Sequence, residues 1–209
     1  GLRPVEYLLD RLPVDGRWCL VHATHMTDAE SRAAAASGAI AGLCPTTEAN
    51  LGDGLFDLPG WLEADGAVGI GSDSHVSISA VEELRLLEYG QRLRDRRRNV
   101  TATSDVSTGR RLIDLAVAGG ARALGRTGSE GESGLRAGAR ADIVVLDADA
   151  PIFAGQGCDT FLESWIFSGN VPVVTDVFVG GKHVVRGGHH PREEEISARY
   201  RNVLTALMS

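Results

Sequence analysis

The sequence predicts an α/β protein: part of a (β/α)8 barrel followed by a small β domain. Apolar runs alternate with helical patterns through short loops, which is the mark of parallel βα units. The runs are apolar throughout, as expected for strands covered on both faces. The chain has 209 residues, fewer than the roughly 250 a closed (β/α)8 barrel takes, so it holds only part of one.

Taken in order, Arg17–Ala23 (RWCLVHA) has the length and content of a buried strand. Thr27-Asp-Ala-Glu30 fits a capping box, the Ala-rich run continues that helix, and Gly38 ends it. Ala39–Pro45 is a second buried strand, followed by a Gly-rich loop (NLGDG) and a short helix over about Leu58–Ala64. The third strand is Ala67–Asp73. A longer helix follows from about Ser79 to Arg97, with Val81, Leu84, Leu86, Leu87 and Leu93 forming a broad apolar face. Another helix spans about Thr108–Leu124.

The character changes after about Gly125. A polar Gly/Ser linker (RTGSEGESG) leads to a strand at Ala141–Asp147. A hairpin then turns at Gly180-Gly181 between β-branched runs. An amphipathic helix over Arg192–Met208 closes the chain. The expected division is 1–125 for the partial barrel, 126–190 for the small β domain and 191–209 for the final helix.

Composition narrows the function classes. Twenty-one Lys and Arg stand against 28 Asp and Glu, a net charge of −7, whereas a nucleic-acid surface needs a basic face. The run Arg92–Arg98 is interrupted by Asp95 and ends a helical pattern, where positive charge complements the carbonyl end of the helix. No apolar stretch approaches the length of a membrane span. Three widely spaced cysteines (Cys19, Cys44, Cys158) do not form a disulfide framework, and a reducing cytoplasm is the expected setting.

Chemistry in parallel α/β folds collects where strands end at their carboxyl edge. The first strand ends at His22, with His25 close behind; the second at Cys44-Pro-Thr-Thr-Glu48; the third at Asp73-Ser74-His75. His22 is either a histidine that caps the strand end or a general acid/base near neutral pH. His22 and His25 straddle a strand end, so a two-histidine metal clip is not expected. Asp73 follows an apolar run with no nearby cation in sequence, which suits a metal ligand, a proton acceptor or a structural acid. Cys44 lacks a local base and is read as a small hydrophobe. His183, His189 and His190 lie in or after the hairpin and are read as solvated surface.

Four blocks in order, LVHATHMTDAE, CPTTEANLGDG, GIGSDSHVSISAVEELRLLEYGQRL and SGLRAGARADIVVLDADAP, resemble the C-terminal half of the amidohydrolase superfamily. The resemblance covers about residues 15–205. It implies strands 6–8 of the barrel followed by part of a small β-sandwich. Within the superfamily the second and third blocks are most similar to formimidoylglutamate deiminases, which convert N-formimino-L-glutamate and water to N-formyl-L-glutamate and ammonia. Other deaminases of this branch, acting on purines, pyrimidines or triazines, more often carry Ser-Asn where Glu48-Ala49-Asn50 stands here. A non-catalytic half-barrel subunit is the alternative outside enzymology.

The resemblance places Asp73 as the ligand of one divalent metal, usually zinc, and as the acceptor of a proton from the attacking water. It places His22 beside that water and the tetrahedral intermediate. Glu48, Ser74 and His75 are expected to face the same mouth, near the substrate, with supporting or packing roles equally open to them. The family's His-x-His, a further histidine and the catalytic glutamate have no counterpart in this sequence. They are expected in the missing N-terminal half, in the same or a second chain, together with arginines that would grip the substrate carboxylates. The partners implied are a small-molecule substrate, that missing half and a second copy in a homodimer.

Overall fold

A computed structural model of the chain describes residues 1–126 and 134–209. Most of the expected Gly/Ser linker lies outside the described residues. The chain forms two compact units, one of residues 1–139 with 155–169 and the other of residues 140–154 with 170–209.

The first unit is built on three parallel strands, β1 (Cys19–Val21), β2 (Ile40–Leu43) and β3 (Ala67–Ile70), adjacent in sequence order. Cys19 pairs with Ile40, and Ile40 with Ala67, so the carboxyl ends of all three strands lie on one edge. Helices α1 (Pro4–Arg11), α2 (Asp28–Ala36), α3 (Pro45–Leu51), α4 (Leu58–Glu63), α5 (Ala80–Asp95) and α6 (Thr108–Ala123) belong to this unit, as does α7 (Cys158–Phe167). The expected capping box closes α2: the Thr27 hydroxyl accepts from the Glu30 N–H, and the Glu30 carboxylate accepts from the Thr27 N–H at 2.8 Å. At α5 and α6 the cap is one-way: the Ser79 and Ser107 hydroxyls accept from the N–H of Glu82 and Arg110.

Ala41, Leu43 and Val68 from the sheet join Leu58, Trp61, Leu84, Leu112 and Ile166 in one buried cluster. Each large aliphatic or aromatic side chain so buried contributes about 1.5–3 kcal/mol. Trp61 is wholly buried, edge-on to Phe56, and its indole N–H donates to the Ala67 carbonyl at 3.0 Å, tying α4 to the start of β3.

Two expectations need correction. The first strand is three residues long and is not buried: Cys19 and Val21 are exposed, because β1 lies at the sheet edge and pairs on one side only with β2. The segment after the second strand is a helix, α3, where a loop was expected; it starts at Pro45 and stops at Gly52 in the left-handed conformation. Helix α7 was not anticipated. It packs against α5 and α6, and Glu163 accepts a hydrogen bond from the Gly109 N–H at 2.6 Å.

Helix α6 lies so close to β3 that a Cβ added at Gly119 would stand 1.9 Å from the Val68 carbonyl oxygen. Backbone atoms of a buried strand cannot move aside. Gly119→Ala is therefore expected to destabilise the unit by about 1–3 kcal/mol or more through overpacking, despite the better helix propensity of Ala. A urea unfolding midpoint checks this, and an unchanged or raised midpoint would show that the helix can lift off the strand at no cost.

Two polar features secure the end of α5. The Arg92–Arg98 run ends α5 with Arg96 in the left-handed conformation; Arg92 pairs with Glu88, and Arg94 pairs with Asp57 and Asp95. Glu88 is fully buried and also accepts from the N–H of Val100 and Thr101 and from the Thr101 hydroxyl, holding the segment after α5 against the helix.

The second unit holds an antiparallel sheet of β4 (Ile143–Leu146), β5 (Val174–Val179) and β6 (Lys182–Val185), in that order, and helix α8 (Glu193–Met208). The turn residues Gly180 and Gly181 have φ of 56° and 77°, the two positive values that a tight hairpin turn of type I′ demands. His183 is not a solvated surface residue. Its Nε2 lies 2.7 Å from Asp176 Oδ1, and its ring stacks on Phe178 at 4.3 Å. The bond to His183 holds the Asp176 carboxyl below its usual range.

A carboxyl depressed on folding stabilises the fold above its unfolded pKa, and that stabilisation fades as the pH falls through the folded value. Amide exchange across β5 and β6 is thus expected to quicken, beyond the intrinsic rate change, as the pH falls below about 4. Asp176→Asn should abolish that dependence; persistence in the variant would assign it to another group.

Candidate active site

The carboxyl ends of β1, β2 and β3 bring together the residues singled out from the sequence. The chain leaves β1 through a three-residue turn centred on His22: the Ala23 N–H donates to the Val21 carbonyl at 2.9 Å, and His22 has φ of 64°. Turns of this hand are rare and strained. The chain leaves β3 through a second turn, closed by the His75 N–H on the Ser72 carbonyl, in which Asp73 has φ of 49°. Four non-glycine residues at this edge have positive φ, His22 and Ala23 after β1 and Asp73 and His75 after β3, and such strained residues cluster at functional sites.

These turns aim the two side chains at each other. His22 Nε2 lies 4.0 Å from Asp73 Oδ2, with the imidazole 34% and the carboxylate 46% exposed. On its other side, His22 Nδ1 lies 3.3 Å from Glu48 Oε1. Glu48 is 4% exposed and also accepts from the Cys44 N–H at 2.8 Å. Burial pushes the Glu48 carboxyl up, while the Cys44 N–H and His22 pull it back. Burial also pushes the Cys44 thiol up to about 11, reinforced by the negative charge of Glu48, Asp73 and Glu83, which leaves it protonated and inert at neutral pH.

Ser74 and His75 sit in the turn after β3. The Ser74 hydroxyl is 2.8 Å from Thr47 Oγ1, and the exposed His75 ring takes no hydrogen bond among the described residues. His25 is exposed and its carbonyl accepts from Arg3; it does not join the cluster, as its place beyond the strand end predicts.

Three neighbours were not singled out from the sequence. Thr46 donates through its N–H and its hydroxyl to the buried Glu83 of α5, at 2.9 and 2.6 Å. Thr47 Oγ1 donates to the Ser72 carbonyl at 3.1 Å and accepts from the Ser74 N–H at 3.2 Å, bracketing Asp73. The signal available was Glu83 itself: a carboxylate on the apolar face of α5 needs a buried partner.

A tetrahedral metal centre takes at least three protein donors. Among the described residues no group of three or more His, Cys, Asp or Glu could hold a metal ion. Asp73 and His22, open to solvent at the strand ends, offer a hard carboxylate oxygen with an imidazole facing it, chemistry that suits a divalent ion.

This fold and site define a class. The Amidohydrolase family profile matches residues 3–184, and the chain belongs to that family. It is 52% identical over 210 residues to formimidoylglutamate deiminase of Pseudomonas aeruginosa, an alignment covering 100% of this chain and 45% of the relative. Its fold matches the crystal structure of an amidohydrolase from Brucella melitensis with a TM-score of 0.92 at 50% identity, over 100% of this chain and 45% of that one. It also matches an adenosine deaminase from Xanthomonas campestris with bound zinc, TM-score 0.79 at 26% identity, over 97% and 45% of the two chains. The chain spans about 45% of the length of its formimidoylglutamate deiminase relative. Among the described residues, no helix is long and apolar enough to cross a membrane.

Proposed function

We propose that this chain is the C-terminal portion of a metal-dependent formimidoylglutamate deiminase, contributing strands 6–8 of a (β/α)8 barrel and part of a small β-sandwich. Residues 1–125 are its barrel portion, 126–190 its β domain and 191–209 its terminal helix, with α7 packed back on the barrel portion. The observation that carries the reading is the convergence of His22 and Asp73 at the strand ends, in a chain 52% identical to such a deiminase.

The reaction adds water to the formimino carbon and expels its terminal nitrogen as ammonia. Asp73 would be this chain's ligand to a single divalent ion, zinc by analogy with the adenosine deaminase, the other ligands coming from the missing N-terminal half. When bound, the ion brings the pKa of water to about 7 and so supplies a nucleophile at neutral pH.

Asp73 Oδ2 takes the proton that water gives up as its oxygen bonds to the formimino carbon. His22 Nε2, facing Asp73, lies beside the attacking water, where it accepts a hydrogen bond and helps orient that water toward the formimino carbon. The proton returns to the nitrogen, the carbon–nitrogen bond breaks, and N-formyl-L-glutamate remains. The working assembly is a homodimer.

The complete polypeptide should release ammonia from N-formimino-L-glutamate and not from adenosine, guanine or triazine substrates. Release from one of those instead would move the chain to another branch of the family. No turnover with any of them, in a protein whose N-terminal half lacks the His-x-His, would favour a non-catalytic subunit.

A further inference from the structure

We propose that the Thr47-Glu48 step positions the two reactive side chains, Glu48 acting on His22 and Thr47 on Asp73, and that neither residue contacts substrate. The proposal rests on the assignment of His22 and Asp73 as the reacting pair.

Glu48 sits on the first turn of α3, at the end of the central strand, between the two outer strands that carry His22 and Asp73. Its carboxylate is almost wholly enclosed, and one oxygen, Oε1, accepts from the Cys44 N–H and faces His22 Nδ1. With its side chain 6% exposed, this carboxylate acts through His22 and sets what the imidazole presents at the strand mouth. A neutral imidazole carries one proton, and an acceptor at Nδ1 draws the proton to that nitrogen. Nε2, the atom facing Asp73 at 4.0 Å, is then left as an acceptor. Without Glu48 nothing in the contacts of His22 selects that tautomer.

Thr47 works on the other member of the pair. Its hydroxyl donates to the Ser72 carbonyl and accepts from the Ser74 N–H, gripping the backbone on both sides of Asp73 and holding its left-handed conformation. Thr46, bonded twice to the buried Glu83, anchors the first turn of α3 to α5. Three consecutive residues thereby tie this helix to its neighbours on both sides.

The test has a spectroscopic arm and a kinetic arm. In the chain labelled with 15N-histidine, six rings contribute, and His22 is assigned by its loss in His22→Gln. At about pH 8.5, above the ordinary imidazole range, multiple-bond 1H–15N correlation should show His22 protonated at Nδ1. Glu48→Ala should shift it to Nε2, the form free histidine prefers. Glu48→Gln, whose amide oxygen still accepts, should retain part of the Nδ1 population, and Thr47→Val should leave the tautomer unchanged.

In the complete polypeptide, Glu48→Ala and Thr47→Val should each lower kcat by about 10–100-fold with KM within about twofold of wild type. A wild-type His22 protonated at Nε2, or a tautomer indifferent to Glu48→Ala, overturns the role of Glu48. A raised KM with unchanged kcat in either variant overturns the proposal by making that residue a substrate contact. The tautomer is read independently of turnover. A shift with Glu48→Ala in a protein that releases no ammonia from N-formimino-L-glutamate supports the positioning role and contradicts the reaction.

Discussion

Asp73→Asn in the complete polypeptide is expected to lower ammonia release by about 10²–10⁴-fold, the range for losing a positioned proton acceptor, with further loss from weakened metal binding. The amide keeps the shape of the side chain but has no charge to offer a cation and no basic oxygen for the proton. Because Asp73 is half-exposed in a turn held by Thr47, the substitution should leave folding nearly unchanged. His189, exposed in the second unit and paired only with Glu193 by its ring, is the control. His189→Ala should retain wild-type turnover. Equal losses in the two variants would undo the assignment of the site, and an active Asp73→Asn would remove Asp73 from the chemistry.

Glu88→Ala is expected to show the largest effect on stability. The carboxylate is fully buried and serves Arg92, both amides at Val100 and Thr101, and the Thr101 hydroxyl. Truncation leaves a guanidinium without its partner in a place where it is only 18% exposed, and two buried N–H groups without acceptors. Breaking a buried pair from one side costs about 3–5 kcal/mol, enough to use up much of the stability of an ordinary domain. Glu88→Gln, which keeps an acceptor and the volume, should cost distinctly less. Chemical unfolding monitored by Trp fluorescence measures both. Similar small losses in the two variants would show that water replaces the carboxylate freely.

How much of this was legible in the sequence depends on the range of the interaction concerned. The strands, α2, α5 and α6 were, because the capping box at Thr27 and the apolar periods act over a few residues. So was the edge at which His22 and Asp73 meet, since parallel strands bring their carboxyl ends together wherever they pair. Helix α3 was missed although Pro45 and Gly52 bracket it, because a run of seven residues with two β-branched threonines has little helical period to show.

Helix α7 was missed for a different reason: its support comes from α5 and α6, far away in the chain. The exposure of β1 contradicts its apolar composition. Val21 is 54% exposed at a sheet edge, and sequence alone reports hydrophobicity without reporting what covers it. The partnership of Glu48 with His22 spans 26 residues and depends on a left-handed turn at His22, which no residue preference foretells.

On the proposed reading Asp73 is one ligand of a metal site whose other ligands lie outside this chain, so the chain by itself should hold zinc poorly. The direct measurement is the metal content of the 209-residue chain, after equilibration with zinc and dialysis, beside that of the complete polypeptide. Well under one equivalent is expected in the chain and about one tightly held ion in the complete protein, since three or more donors are needed. A stoichiometric, tightly held zinc in the chain by itself would contradict that reading.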